Sequence, residues 1–383
     1  MAAVATVVVG SAVGSAATAS TSSSAFAAST SRVSGDIHNA LGYGYGNSYG
    51  YGGGYGYGGY GYGGSGSSSG SAGSSGLASA TAAQEVGVVD ITSELTYDQA
   101  ESAGTGLVLS SNGEILTNNH VVEGATSISV TVVSTGAQYT ATVVGTDATD
   151  DIAVLQLSNA SGLSTAHLDT SSDVAVGDAV TGVGNAGGTG GTPSASPGTV
   201  TALDQTITTQ AEQTTASETL NGLIETDADI QAGDSGGPLF NSADEVIGID
   251  SAAQEGGSTV AGYAIPIESA LSIAGEITAG HASSTVTIGY PAFLGVQIAS
   301  SSDATGPSGA TIAGVIDGTP AATAGLTAGD TITAVNGSTI ASAQDLTAAL
   351  GGLAPGQHVN LTWTDSSGAS HTAAVTLARG PVA

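Results

Sequence analysis

The sequence has no cysteine and no lysine, and both absences limit the chemistry open to the protein. Its 383 residues hold two basic side chains, Arg32 and Arg379, against 32 acidic ones, so the formal net charge is −30. Without cysteine, a disulfide scaffold, a thiolate nucleophile and a cysteine zinc site are excluded. Because affinity for nucleic acid or for an anionic membrane surface depends on Lys and Arg, neither is expected as a partner.

Long apolar runs are also scarce, and the one candidate lies near the start of the chain. Residues 2–19 are about as long as a membrane-spanning helix. No basic residue precedes them, although signal peptides and anchors normally carry one there. We predict a signal peptide or membrane anchor over residues 1–28, which implies an exported or membrane-tethered protein. A disordered Ala/Ser tail is the alternative.

Aromatic residues make up 4% of the chain, and eight of its twelve tyrosines fall within residues 42–64. This Gly/Tyr tract offers no β-branched side chain for packing, and glycine loses the most backbone entropy on folding. We therefore predict a disordered Gly/Tyr/Ser-rich linker over residues 29–84. It serves as a spacer or, alternatively, as a surface for self-association or adhesion through its tyrosines.

From residue 85 onward, short apolar runs alternate with turn signals. Asn112 and Gly113 stand between two such runs, which predicts a β-hairpin. Further candidate strands cover residues 127–133, 140–145, 152–157, 178–184, 198–203, 245–249 and 262–267. Helical periodicity first appears near Glu268. Many short strands at this spacing predict an antiparallel barrel or sandwich over residues 85–280.

A second unit follows, in which strands mix with two short helical patterns near Pro320 and Asp345. This mixture predicts a separate small α+β domain over residues 288–380. Hydrophobic residues make up 40% of the chain and charged residues 9%, so charge density does not prevent either unit from forming a core.

Ser235 lies in a turn crowded with glycines, between Gly233 and Gly236. Such a turn can direct the N–H groups of Gly233 and Ser235 at one point, which suits an oxyanion. A serine hydroxyl is a poor nucleophile until a base takes its proton, and a carboxylate must orient that base. His120 follows an apolar run where a strand ends, and Asp151 opens the apolar run 152–157. These two residues are the candidates for the base and the carboxylate.

Four motifs in order carry a family resemblance: TNNHVVEGA, DIAVL, GDSGGPL and GYAIPI. They resemble the HtrA/DegP type of trypsin-like serine proteases over about residues 104–277. The resemblance implies a mostly β fold with a chymotrypsin-like double β-barrel. It also implies that His120 is the general base, that Asp151 orients it, that Ser235 is the nucleophile, and that the N–H groups of Gly233 and Ser235 form the oxyanion hole. A charge-relay serine mechanism needs no metal or cofactor.

The second unit resembles the PDZ domain of the same proteases through AFLGV and GTPAATAGLTAGDTITAVNGSTI. Such a domain adds an extended peptide to an open sheet edge, and the amides of Leu294, Gly295 and Val296 would capture the terminal carboxylate. The alternative interpretation makes this segment a core strand only. The resemblance further implies unfolded or damaged polypeptides as substrates, and a homotrimer, although a net charge of −30 opposes close assembly.

Two acidic residues depart from the family pattern. Asp229 stands six residues before the nucleophile, where these proteases usually have a small apolar residue. An acid there would favour cleavage after Lys or Arg. Alternatively, Asp229 turns outward. A pocket for small aliphatic side chains would then be lined by Ile230 and by the segment from Ser251 to residue 253. Asp234 replaces a common Asn, and we expect it to hydrogen-bond within its own loop.

The sequence therefore predicts an exported serine endopeptidase with a C-terminal PDZ domain and a disordered N-terminal tail. The rival interpretation, from another functional class, is a surface binding or adhesive protein. In that protein the Gly/Tyr tract and the PDZ domain bind partners, and proteolysis is vestigial.

Overall fold

The computed structural model describes residues 78–97, 99–171, 173–208, 219–256, 259–299 and 308–382. The predicted signal peptide or anchor (1–28) lies outside the described residues. The same holds for the predicted linker up to residue 77, and therefore for most of the tail that we expected to be disordered. Residues 78–84 of that linker are folded, because β1 (Ala78–Ser79) pairs with the strand that contains Ala195. The linker boundary predicted at residue 84 is therefore too late. The exposed edge that accepts β1 comes from distant sequence, so no local pattern signals it.

Six strands form a first closed barrel. They are β2 (Val88–Leu95), β3 (Ala100–Val108), β4 (Glu114–Thr117), β5 (Ser127–Val132), β6 (Ala137–Asp147) and β7 (Ile152–Leu157). Their order is β6, β5, β2, β3, β4, β7, and β6 also pairs with β7, which closes the barrel. A single helical turn, α1 (Asn119–Val122), connects β4 to β5.

The predicted hairpin at Asn112 and Gly113 is confirmed in this barrel. It joins β3 to β4, with Leu107 opposite Leu116, and Gly113 adopts a φ of +90° that favours glycine. In β5 every second side chain is buried, as the alternation of apolar and polar residues requires.

Six further strands form a second closed barrel. They are β8 (Ala179–Gly184), β9 (Ser194–Thr208), β10 (Thr219–Thr226), β11 (Pro238–Phe240), β12 (Val246–Gly256) and β13 (Thr259–Pro266). Their order is β8, β9, β10, β13, β12, β11, and β11 pairs with β8. The helix α2 (Ile267–Thr278) follows, where the sequence predicts helical periodicity. The mostly β double barrel is thus confirmed. Neither β10, in which half of the residues are polar, nor β11, which has only three residues, is predicted from the sequence.

The C-terminal unit is a small α+β domain, as predicted. Before this unit, β14 (Val286–Ile288) extends the first barrel beside β6. The elements of the C-terminal unit are β15 (Ala292–Phe293), β16 (Val296–Ile298), β17 (Ala310–Val315), α3 (Pro320–Ala324), β18 (Thr331–Val335), β19 (Ser338–Thr339), α4 (Ala343–Gly351), β20 (His358–Thr364), β21 (Ser370–Thr376) and β22 (Ala378–Arg379). The main sheet has the order β16, β17, β18, β20, β21, so β16 is an edge strand.

The residues that follow β22 return to the first barrel. Val382 is fully buried in the apolar cluster of that barrel. Its N–H donates to the carbonyl of Ala125 at 3.0 Å, and its carbonyl accepts from the N–H of Gly124 at 2.9 Å. These bonds attach the C-terminal unit to the segment directly after α1. Within the described residues, no helix combines the length and the apolar character needed to cross a membrane.

Candidate functional site

His120 is presented by the short helix α1 at the end of β4. The neighbouring side chains Asn119, Val121 and Val122 are buried, which anchors the turn. The His120 side chain is 28% exposed, so it is the member of this turn that faces solvent.

The carboxylate of Asp151 holds the imidazole of His120. Nδ1 of His120 lies 2.9 Å from Oδ2 and 3.0 Å from Oδ1 of Asp151, and the backbone N–H of His120 also donates to Oδ1 at 3.0 Å. A carboxylate at Nδ1 favours the tautomer with its proton there. The lone pair of the ring is thereby placed on Nε2, the atom that can act as a base.

Asp151 is 1% exposed and lies in the turn before β7 rather than at the first position of that strand. Its backbone has a φ of +54°, a left-handed conformation that costs a non-glycine residue about 1–3 kcal/mol. Its carbonyl accepts from Nδ2 of the buried Asn118 at 2.9 Å, which helps to hold this conformation. The turn directs the Asp151 carboxylate toward α1 instead of leaving it on the sheet surface.

Ser235 follows β10 in the loop before β11, and Ser251 links it to the other two residues. The Ser235 hydroxyl donates to the carbonyl of Ser251 at 3.1 Å, while the Ser251 hydroxyl donates to Oδ2 of Asp151 at 2.7 Å. The structure therefore brings His120, Asp151 and Ser235 to one place, where the two barrels meet.

The loop around Ser235 turns its carbonyls inward. Thr105 is fully buried; its hydroxyl donates to the carbonyl of Gly233 at 2.8 Å, and its N–H donates to the carbonyl of Ser235 at 2.8 Å. In the part of the chain that the structure describes, the N–H groups of Gly233 and Ser235 have no acceptor. Two neighbouring unpaired donors are what an oxyanion requires.

Glycine is required at position 233 for two reasons. Its φ is +97°, and a Cβ built there would lie 2.1 Å from the carbonyl oxygen of Asn185. A larger residue would therefore displace the backbone that carries these donors.

Asp234 hydrogen-bonds within its own loop, as the sequence predicts. Its Oδ2 accepts from the N–H of Gln231 at 2.9 Å, and its Oδ1 accepts from the hydroxyl of Ser194 at 3.3 Å. Burial raises the pKa of Asp234 to about 6, although these hydrogen bonds oppose the shift.

The three predicted pocket residues lie in different surroundings. The carboxylate of Asp229 accepts from Nε2 of Gln231 at 3.0 Å. Ile230 is 3% exposed and packs against Gly182 and Gly262 of the second barrel. The hydroxyl of Ser251 donates to Oδ2 of Asp151, so its side chain supports the candidate catalytic group.

The predicted peptide-binding loop joins β15 to the edge strand β16. Leu294 is 2% exposed and belongs to the core of the domain, whereas Gly295 has a φ of +85° and packs against Thr319. Among the described residues, no acceptor is found for the N–H groups of Leu294 and Gly295. Val296 begins the edge strand.

Sequence reasoning missed Thr105 and Glu123, and it named Ser251 only as a candidate pocket residue. Thr105 lies within β3 and Ser251 within β12, and their hydrogen-bonding roles depend on contacts between the barrels. Glu123 caps the C-terminal end of α1. Burial raises the pKa of its carboxyl group, the charge of His120 lowers this pKa, and the charge of Asp151 raises it. Its place inside the motif TNNHVVEGA was the available signal for Glu123.

Comparison with protein families divides the chain in the same way. A family described as a trypsin-like peptidase domain matches residues 104–249, and a family described as a PDZ domain matches residues 292–375. A solved structure of the HtrA-type protease AlgW with a tripeptide is similar at a TM-score of 0.45 and 26% identity, covering 79% of this chain and 99% of that chain.

Two curated relatives are similar over most of the folded part. The serine protease PepD of Mycobacterium tuberculosis is 38% identical over 304 residues, which cover 75% of this chain and 63% of that protein. A probable periplasmic DegP-like serine endoprotease of Pseudomonas savastanoi pv. phaseolicola is 36% identical over 272 residues, covering 69% of this chain and 53% of that protein. The chain thus spans between half and two thirds of the length of these relatives. The chain joins a trypsin-like peptidase domain to a PDZ domain, and it is similar to serine proteases of the HtrA/DegP type.

Proposed function

We propose that the protein is a serine endopeptidase that cleaves unfolded or damaged polypeptides through an acyl-enzyme. One observation carries this proposal. The imidazole of His120 is held by Asp151, and Ser235 lies beside them in a loop where two backbone N–H groups have no acceptor among the described residues. Nucleophile, oriented base and oxyanion donors are the parts that acyl transfer requires.

In the first step Oγ of Ser235 attacks the scissile carbonyl carbon, and its proton passes to Nε2 of His120. For this transfer the Ser235 hydroxyl exchanges the carbonyl of Ser251 for the imidazole. The negative oxygen of the tetrahedral intermediate accepts from the N–H groups of Gly233 and Ser235. Asp151 stabilises the imidazolium and keeps its orientation.

In the second step the tetrahedral intermediate collapses, and His120 gives its proton to the leaving amine. The acyl group is now bound to Oγ of Ser235. Water then attacks this ester with His120 again as the base, which releases the carboxylic acid and restores the Ser235 hydroxyl. The balance is one water consumed for each peptide bond, with no metal or cofactor in any step.

The PDZ domain would bind C-terminal peptides beside β16. An edge strand can pair with an extended peptide, and the N–H groups of Leu294, Gly295 and Val296 lie at the start of that edge. With no basic side chain in this loop, the terminal carboxylate would be held by amides alone.

An extracytoplasmic location is part of the proposal, since DegP-like relatives are named periplasmic. A membrane tether and a homotrimer remain proposals that rest on the sequence and on the family.

Active-site labelling tests the proposed function against the rival binding protein. The full-length protein is treated with a fluorophosphonate, and the modified peptide is identified by mass spectrometry. We expect modification at Ser235 in the folded protein and none after heat denaturation, because only an activated hydroxyl reacts. A folded protein that stays unlabelled, yet binds C-terminal peptides, would favour the binding interpretation.

We further propose that the substrate pocket accepts small aliphatic side chains, with Ile230 near its base. Asp229 is held by Gln231, and its charge acts on Asp234, which indicates that the carboxylate faces its own loop. On a peptide library we expect cleavage after Val or Ala rather than after Lys or Arg, with the same ranking for Asp229→Ala. A wild-type preference for Lys or Arg that Asp229→Ala removes would contradict this assignment.

A further inference from the structure

Two acidic side chains lie inside the second barrel, behind the loop of Ser235. Asp250 on β12 is fully buried, and neither of its carboxyl oxygens has a hydrogen-bond partner within the described residues. Asp234 is 1% exposed. The mechanism proposed above uses neither carboxyl group.

Two glycines on one face of β8 provide the space for these carboxyl groups. A Cβ built on Gly182 would lie 3.1 Å from Oδ2 of Asp250, and a Cβ built on Gly184 would lie 2.7 Å from Oδ1 of Asp234. Residues two apart in a strand point to the same side. The two carboxyl groups therefore lie side by side along the inner face of β8.

No positive charge compensates this pair within the described residues. The charged group that acts on Asp250 is Asp234, and Asp229 acts on Asp234 in turn. Arg379, the arginine that the structure describes, lies over the ring of Tyr290 instead, at 3.4 Å from its centroid. Burial of an unpaired carboxylate is strongly unfavourable, so the neutral acid is preferred at such a site.

The pKa of Asp250 is raised well above its ordinary value. Burial is the main cause, and the charge of Asp234 is the second. Asp250 therefore retains its proton under conditions in which an exposed aspartic acid has lost it.

The backbone of Asp250 is bonded directly to the nucleophile loop. Its carbonyl accepts from the N–H of Gly236 at 2.7 Å, and its N–H donates to the carbonyl of Gly237 at 2.8 Å. The next residue, Ser251, contacts both Ser235 and Asp151. A displacement of Asp250 would thus move the loop directly after the candidate nucleophile, together with Ser251, which contacts Ser235.

We propose that Asp250 is a positioning residue that holds the nucleophile loop in its catalytic geometry only while its carboxyl group is protonated. Loss of that proton places two negative charges side by side in the barrel and displaces β12 together with the loop. The protease is thereby switched off as the solution becomes alkaline. This inference rests on the proposed function, because it concerns the same Ser235.

The sign of the pH dependence follows from the raised pKa. An unfolded aspartic acid has a pKa near 3.9, so in the range above that value the folded protein binds more protons than the unfolded chain. The stability that protonated Asp250 contributes is fully present below the pKa of this group in the unfolded chain. It is lost as the pH rises through the pKa of the group in the folded protein.

Fluorophosphonate labelling of Ser235 and peptide hydrolysis, measured from about pH 5 to about pH 10, test the proposal. The proteins are the full-length wild type, Asp250→Asn, and Asp173→Asn as a control that removes one exposed charge from the same domain. Wild type and control are expected to lose activity about tenfold per pH unit above a common midpoint, since one proton controls it. Relative to its own activity at low pH, Asp250→Asn is expected to show no such loss, because Asn has the same shape and stays neutral.

Asp234→Asn provides a second readout that does not depend on the folding of Asp250→Asn. It removes the negative neighbour that raises the pKa of Asp250, so the midpoint is expected to move to lower pH. An unchanged midpoint in Asp234→Asn, or an alkaline loss in Asp250→Asn that matches the wild type, would overturn the proposal. Absence of labelling in the wild type at every pH would instead contradict the proposed function itself.

Discussion

Replacement of Ser235 by alanine is expected to lower kcat/KM for peptide hydrolysis by about 10⁵- to 10⁶-fold. The hydroxyl oxygen is the atom that would form the acyl-enzyme, so its removal eliminates the covalent route. The N–H groups of Gly233 and Ser235, for which the described part of the chain offers no acceptor, remain in this variant. They should leave a residual rate about 10³- to 10⁴-fold above the uncatalysed reaction.

Ser134→Ala is the matched control, because Ser134 is an exposed serine of the same domain. We expect it to retain wild-type kcat/KM and fluorophosphonate labelling. Hydrolysis by Ser235→Ala at more than about one hundredth of the wild-type rate would contradict the nucleophile assignment, since only a loss of many orders of magnitude fits covalent catalysis.

Replacement of Asp151 by asparagine is expected to lower kcat about 10⁴-fold near neutral pH. The carboxylate accepts from Nδ1 of His120, whereas an amide nitrogen in its place would donate to that atom. The imidazole would then carry its proton on Nε2 and could not accept one from Ser235. The Ser251 hydroxyl would also lose its charged acceptor.

Asp150 offers a control one residue away. It is exposed, and Asp150→Asn removes the same charge without a contact to His120. Steady-state kinetics with a thermal melt for each variant separate chemistry from folding. Equal kcat values for Asp150→Asn and Asp151→Asn would exclude Asp151 as the orienting group.

Much of the fold could be read from local patterns. The Asn112-Gly113 turn, the alternating side chains of β5 and the helical periodicity of α2 are short-range features, because turn geometry and the side-chain period act over a few residues. The candidate triad was found from His120, Asp151 and Ser235 in ordered motifs, although no spacing along the chain places them together.

Other features depend on segments far apart in sequence. Thr105 supports the Ser235 loop across the boundary of the two barrels, and Ser251 reaches Asp151 from a strand 100 residues away. The left-handed backbone of Asp151 is likewise unusual for a non-glycine residue, and the surrounding packing holds it. No local pattern encodes such contacts.

The amino-acid sequence by itself determined the absence of thiol chemistry, the acidic net charge, the strand-rich character of the chain and the identity of the three candidate catalytic residues. Only the tertiary structure decided that Ser251 supports Asp151, that Val382 is buried beside α1, and that Asp250 and Asp234 lie together with no counter-charge among the described residues. The physical reason is that the environment of a side chain, and with it the pKa and the hydrogen bonds, is set by closure of the barrels, which brings distant residues into contact.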